Sequence, residues 1–194
     1  MKNILCICLL TALLAACKKD ADTTSDAEYY FLGQLDGAAL KFEINATSDA
    51  QLVTSNDAAI GPPDCTFGYG CGIGTNFGEP NEKSIDVTFP NLFIGACGDE
   101  RAAFPGLFKK GPLAFGQGQG KVTVTYFDGT ESWTSFNGTQ TGATVEITKS
   151  EVVESPFGNS QKVGGKLSCV LFNAAGESKK LEGVSFVLSY WPYG

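Results

Sequence analysis

The chain has 194 residues, 14 Lys+Arg against 21 Asp+Glu, no His, and a formal net charge of −7. This acidic balance sets it against nucleic acid, because phosphate would meet like charge. The absence of histidine removes Ser–His and Cys–His nucleophile–base pairs together with His-ligated zinc or haem.

Residues 1–16 read as an export signal. Lys2 supplies the positive end, and Ile4 to Leu14 form an apolar run within the ~7–15 residues of a secretory signal and short of the roughly 20 that span a bilayer. The run ends in Leu14-Ala15-Ala16-Cys17. Small residues followed directly by cysteine resemble the lipobox of bacterial lipoproteins. That resemblance implies cleavage before Cys17, diacylation of its thiol and acylation (palmitate or similar) of the new amine. Each buried CH₂ contributes about 0.8 kcal/mol, and more than one chain makes anchoring stable. The expected location is therefore the outer membrane, on its periplasmic or its cell-surface side. Residues 17–27 form a polar tether without apolar periodicity. Its Lys19-Asp20 start is similar to the charged tether of surface-displayed Bacteroidota lipoproteins, although Ala21 interrupts the acidic run.

Residues 28–194 are expected to form one all-β domain, a single antiparallel β-sandwich with at most one short helix. An up-and-down, lipocalin-like barrel is the alternative. Glu28 to Leu35 and Ala39 to Ile44 flank Asp36-Gly37, a two-residue hairpin signal. Gln51 to Ile60 reads as a strand ended by Gly61-Pro62-Pro63-Asp64, and the glycine-rich run to Pro80 as a long loop. Ser84 to Phe89 alternates, and Leu92 to Ile94 adds a short strand. Gly98 to Phe104 carries the one helical signal, with Asp99 and Glu100 where a first turn favours acids. Phe104 to Phe115 is too punctuated by Pro and Gly for a long element. From Lys121 the pattern is clean: strands up to Asp128-Gly129, through Trp133, then Ala143–Val153, Lys162–Phe172 and Val184–Tyr190.

Tyr30-Phe31-Leu32-Gly33-Gln34-Leu35-Asp36-Gly37, Val163-Gly164-Gly165-Lys166-Leu167-Ser168-Cys169-Val170-Leu171 and Leu181-Glu182-Gly183-Val184-Ser185-Phe186 together resemble the small, β-rich, lipid-anchored lipoproteins of Bacteroidota. The resemblance covers the lipobox, the first hairpin and the last part of the chain. It implies a lipid-anchored β-sandwich and no catalytic residue.

Four cysteines remain in the domain: Cys65, Cys71, Cys97 and Cys169. In an oxidising compartment an even number reads as disulfides. The pairing expected first is Cys65–Cys71, closing a local loop, with Cys97–Cys169; the two other connectivities stay open. A four-cysteine zinc site is disfavoured because Cys65 and Cys71 are spaced too widely. No cofactor and no metal are expected, since no segment resembles a calcium loop and the Gly-rich runs lack a phosphate-loop context. The acids Asp64, Glu79, Glu82, Asp86, Asp99, Glu100, Asp128 and Glu131 show no spacing that marks a catalytic pair, so no enzyme activity is expected. Trp133 is expected in the core. Phe67, Tyr69 and Trp191 are the expected ligand-binding aromatics, stacking on a glycan or anchoring a peptide or protein. The resulting expectation is a non-enzymatic binding or accessory module, with a purely structural envelope protein as alternative and a carboxylate hydrolase as a distant third. Oligomeric state is left open.

Overall fold

The computed structural model describes residues 25–61, 63–156 and 158–193. The signal segment, Cys17 and most of the tether lie outside the described residues. Residues 25–27 already belong to the domain: the Ser25 hydroxyl donates to Glu43 at 2.6 Å and accepts from the Ala27 N–H at 3.0 Å.

The chain runs β1 (Tyr29–Leu35), β2 (Ala38–Ile44), β3 (Ala50–Gly61), β4 (Asp64–Thr75), β5 (Lys83–Ala96), a one-turn helix α1 (Glu100–Ala103), β6 (Gly111–Phe115), β7 (Lys121–Phe127), β8 (Ser132–Thr134), β9 (Thr144–Val153), β10 (Ser160–Phe172) and β11 (Ser178–Tyr190). The fold is all-β. All strands join one sheet in the order β2-β1-β11-β10-β9-β6-β7-β5-β4-β3, with β8 bridging β10 and β7. Every pairing is antiparallel except β6 with β7. The two halves fold onto one another: the Tyr190 hydroxyl on β11 donates to the Val87 carbonyl on β5 at 3.0 Å, and the Phe89 and Tyr190 rings meet edge to face at 5.3 Å. The arrangement is a sandwich made from a single bent sheet. Among the described residues no ladder joins β2 to β3, the two ends of the path, so the sheet does not close as an up-and-down barrel, although the order from β3 round to β2 is sequential apart from the exchange of β6 and β7.

Local sequence explains the elements. Asp36 (φ +50°) and Gly37 (φ +78°) take the two left-handed positions of the first hairpin turn, with Leu35 opposite Ala38. Alternation on β7 buries Val122, Val124 and Tyr126, the last two opposite Val87 and Ile85 of β5. The connection after α1, too irregular for a strand, folds Phe104 and Phe108 down onto Tyr69, Phe89 and Tyr190. These rings meet mostly at steep angles, the arrangement their quadrupoles favour. Trp133 is buried as expected from its strand position.

The largest departure from the sequence reading is β4. Residues 65–75, expected as a loop, belong to the twelve-residue strand Asp64–Thr75, paired without interruption to β3 and across one bulge to β5. Cys65, Phe67, Tyr69, Cys71 and Ile73 all point inward and are buried, while Gly68, Gly70, Gly72 and Gly74 occupy the other face. The glycines are needed there because neighbouring side chains lean over them. A Cβ on Gly70 would lie 2.3 Å from Ser55 Oγ, and one on Gly74 2.4 Å from the Lys83 carbonyl oxygen.

The strand also overturns the expected cysteine pairing. Six residues of strand separate Cys65 from Cys71 by roughly 20 Å, beyond the ~4.4–6.8 Å that a disulfide tolerates. Cys65 instead bonds Cys97, with Cα atoms 4.8 Å apart. Antiparallel pairing makes this possible by setting Cys65 opposite Gly95, two residues from Cys97. Cys71 and Cys169 are free and buried. The bond likewise withdraws two of the four thiolates that a zinc site would have used.

Candidate functional site

The sheet has one end where three strands continue alone. β7 pairs with β5 only along Ser84–Thr88, so beyond that point β5 runs on with β4 and β3. The bulge that separates this arm from the body lies between Phe67/Phe93 and Tyr69/Phe89. Asn91 sits in the bulge at φ +51°, a conformation that asparagine tolerates better than most residues. Gly68 lets the bulged backbone approach, since a Cβ there would lie 3.3 Å from Pro90 Cα.

Three fastenings hold the arm. The first is the Cys65–Cys97 bond. The second is the C-terminal tail: Asn56 Nδ2 donates to the Trp191 and Pro192 carbonyls at 3.2 and 3.4 Å, and the Tyr193 ring packs on Phe67 at 5.2 Å. The third is Glu100 of α1, which is only 5 % exposed. Its Oε1 accepts hydrogen bonds from the Tyr69 hydroxyl and from the Tyr193 N–H, the latter at 3.1 Å. Burial, followed by the bond to Glu100 and its charge, raises the Tyr69 pKa far above that of free tyrosine. The phenol therefore stays a donor. Arg101 Nη2 completes the clasp on the Tyr193 carbonyl at 3.4 Å.

The expected ligand-binding aromatics are placed differently from one another. Phe67 is 4 % exposed and Tyr69 fully buried, so neither offers a face to a ligand. They alternate with glycines on a strand and face the core, which is the opposite of an exposed loop. Trp191 is half-buried in the tail, with its carbonyl held by Asn56.

What the arm does present is its outer face. Asp57, Ala59, Thr66, Pro90 and Asn91 surround Gly68 in an open depression of about 230 Å³. Ile94 stands on the same face, paired with Thr66, and is 50 % exposed. A carboxylate, a hydroxyl and an amide whose nitrogen already donates to the Gln117 carbonyl at 3.0 Å thus line a depression beside an uncovered aliphatic side chain. The sequence places binding around Cys65–Cys71 but as a loop presenting Phe67 and Tyr69, so Asp57, Asn91 and Ile94 of the outer face go unmarked. The signal that marks it is the period-two alternation Cys65-x-Phe67-x-Tyr69-x-Cys71-x-Ile73. A second depression, about 410 Å³, lies where Ser25–Ala27 meet Glu43 and Asn45, beside the chain's entry from the tether.

Three further titratable groups, Cys71, Cys169 and Asp128, are fastened or silenced. Burial pushes the Cys71 and Cys169 thiols up to about 12, so they stay protonated. Asp128 Oδ1 accepts from the Thr130 N–H and hydroxyl and from the Glu131 N–H, while Oδ2 accepts from Trp133 Nε1 and Lys179 Nζ, each at 3.0 Å. Burial alone would raise the Asp128 pKa, but these donors outweigh it and hold the carboxyl well below the usual range. Lys179 also lies 3.9 Å above the Trp133 ring. Among the described residues no three His, Cys, Asp or Glu side chains gather as a metal site.

Fold and site together define a class: a single-sheet all-β domain that carries a stapled three-strand arm. No protein family matches the chain, and neither the curated proteins nor the solved structures contain a significant relative.

Proposed function

We propose that the chain is a lipid-anchored protein of the cell envelope, attached at the outer membrane through Cys17, and that it acts as a non-enzymatic binding or accessory module. Its arm presents the outer face around Gly68 and Ile94 to a peptide or protein partner. One observation carries the reading: Ile94 is 50 % exposed beside a depression lined by polar groups, on a strand end fixed by a disulfide. A branched aliphatic next to hydrogen-bonding groups suits a polypeptide better than a sugar ring, which would need an exposed aromatic face. Rigidity supports the same conclusion, because little ordering entropy is lost when the face is covered.

A photo-reactive residue placed at Ile94, in the full chain in intact cells, tests the site. The expected result is a discrete crosslinked species, absent when the probe stands at exposed Glu182. Equal, diffuse labelling from both positions overturns the reading. The anchor is tested separately: Cys17→Ala should move the chain from the membrane fraction to the soluble one.

A further inference from the structure

The sheet has two edges, and they are not equivalent. Strand β2 is seven residues long and carries Lys41 and Glu43, joined at 2.8 Å. Charge and shortness are the usual protections of an edge. Strand β3 is twelve residues long, contains no Lys or Pro, and pairs with β4 without a bulge. Its one charged residue is Asp57. Val53 and Ile60 on it are 43 % and 64 % exposed. An edge this long and unguarded is a template for another strand.

We propose that the β3 edge pairs antiparallel with β3 of a second copy of this chain, about a twofold axis at Asn56. The occupant follows from the strand's own residues. Even-numbered residues of β3 lie on the inner face, opposite Cys71 and Phe67, and odd-numbered ones on the glycine face of β4. Pairing across a twofold axis must keep each face continuous, since directly opposed residues share a face. With Asn56 opposite its own copy, Ile60 falls opposite Leu52, Val53 opposite Ala59, Thr54 opposite Ala58, and Asp57 opposite Ser55. This register covers both exposed aliphatic side chains of the strand with aliphatic partners. It also gives the lone carboxylate a hydroxyl neighbour in place of another Asp57. The strand is therefore complementary to itself in sequence as well as in backbone, as an isologous interface requires. The pairing leaves Ile94, two strands away on β5, uncovered, but it sets Ser55 and Val53 of the second copy beside Asp57 and Ala59, which line the depression around Gly68. The cysteine register below reads self-pairing alone and does not depend on the partner reading above.

Single cysteines in the full chain test the register. Asn56→Cys should give a covalent dimer on oxidation. Thr54→Cys and Ala58→Cys should each stay monomeric alone, because their own copies lie roughly 13 Å apart along the strand, but should crosslink when mixed. The unsubstituted chain supplies the baseline. Dimer from all single variants alike, or from none, overturns the proposal. An independent pair of variants avoids the tail contact at Asn56. Val53→Lys/Ala59→Lys places lysine opposite lysine, and Val53→Glu/Ala59→Glu places acid opposite acid. Each should sediment as monomer, while their mixture should sediment as dimer. A mixture that remains monomeric, with the unsubstituted chain also monomeric, overturns self-pairing and leaves the edge to a different strand.

Discussion

Breaking the Cys65–Cys97 bond is the sharpest test of how the arm is held. The bond closes a loop of sequence separation 32. In the chain-entropy account such a crosslink removes about 3.7 kcal/mol of unfolded-state freedom at 25 °C, evaluated from ~2.1 + 1.5R ln n in cal/mol/K. For a domain of this size about 1 kcal/mol moves the melting midpoint by 2–4 °C, so loss of the bond should lower it by about 7–15 °C. Cys65→Ala/Cys97→Ala removes the bond without leaving an odd thiol. Reducing the parent chain removes it while keeping every side-chain carbon. Both should be followed by thermal unfolding and by amide hydrogen exchange. The exchange data should show extra opening confined to residues 64–67 and 93–96, because the body keeps its β5–β7 pairing. A midpoint within about 2 °C of the parent in both arms would refute the reasoning. It would mean that the tail and Glu100 alone fix the arm.

Three further outcomes follow from the geometry. Gly165→Ala should destabilise by about 2–3 kcal/mol, since its Cβ would lie 2.6 Å from the Glu146 carbonyl oxygen and 2.5 Å from the Phe186 ring; Gly72→Ala should cost clearly less, because only the movable Asp86 carboxylate stands in the way. Urea unfolding of the two variants side by side decides this. Burial pushes Asp86 up to about 6, above the ~3.9 of an unfolded aspartate, so its favourable contribution is complete below about pH 4 and is lost as pH rises through about 6. Asp86→Asn should therefore gain stability relative to the parent at pH 7.5, on the order of 2–3 kcal/mol, and the gain should vanish by pH 4. Asp128→Ala should lower stability by about 2–3 kcal/mol and shift Trp133 fluorescence to the red, because Trp133 Nε1 and Lys179 both lose their acceptor. An unchanged emission maximum would show that the ring is held by packing alone.

Much of the fold could be read from alternation and turn chemistry. Asp36-Gly37 and Asp128-Gly129 mark real turns, with Gly129 at φ +100°, and the strands from Lys121 onward fall close to their expected limits except β11, which begins at Ser178 and not at Val184. Asp99 and Glu100 do begin the short helix. What was lost was lost at glycine. In β4 four glycines alternate with apolar residues, and local composition there favours a loop, whereas the tertiary need is for a strand face without side chains. The disulfide error followed from that single misreading, since a loop brings Cys65 to Cys71 and a strand separates them. The site was hidden for the same reason: Phe67 and Tyr69 looked exposed, and Ile94 looked like an ordinary strand residue. The role of Glu100 could not be read at all, because its partners Tyr69 and Tyr193 are distant in sequence.

The pairing of β1 with β11 fixes an order of assembly. Phe31 stands opposite Phe186, so the first strand of the chain completes its place in the sheet against the last. The β3–β4–β5 meander, whose contacts are near in sequence, is free to form early. The N-terminal hairpin must wait, with one side of β1 unsatisfied, until some 150 further residues have emerged. A chain made from the N-terminus thus keeps β1 unlocked until β11 exists. Strand β11 acts as the latch, and its Tyr190 hydroxyl can reach the Val87 carbonyl only once β11 has been made.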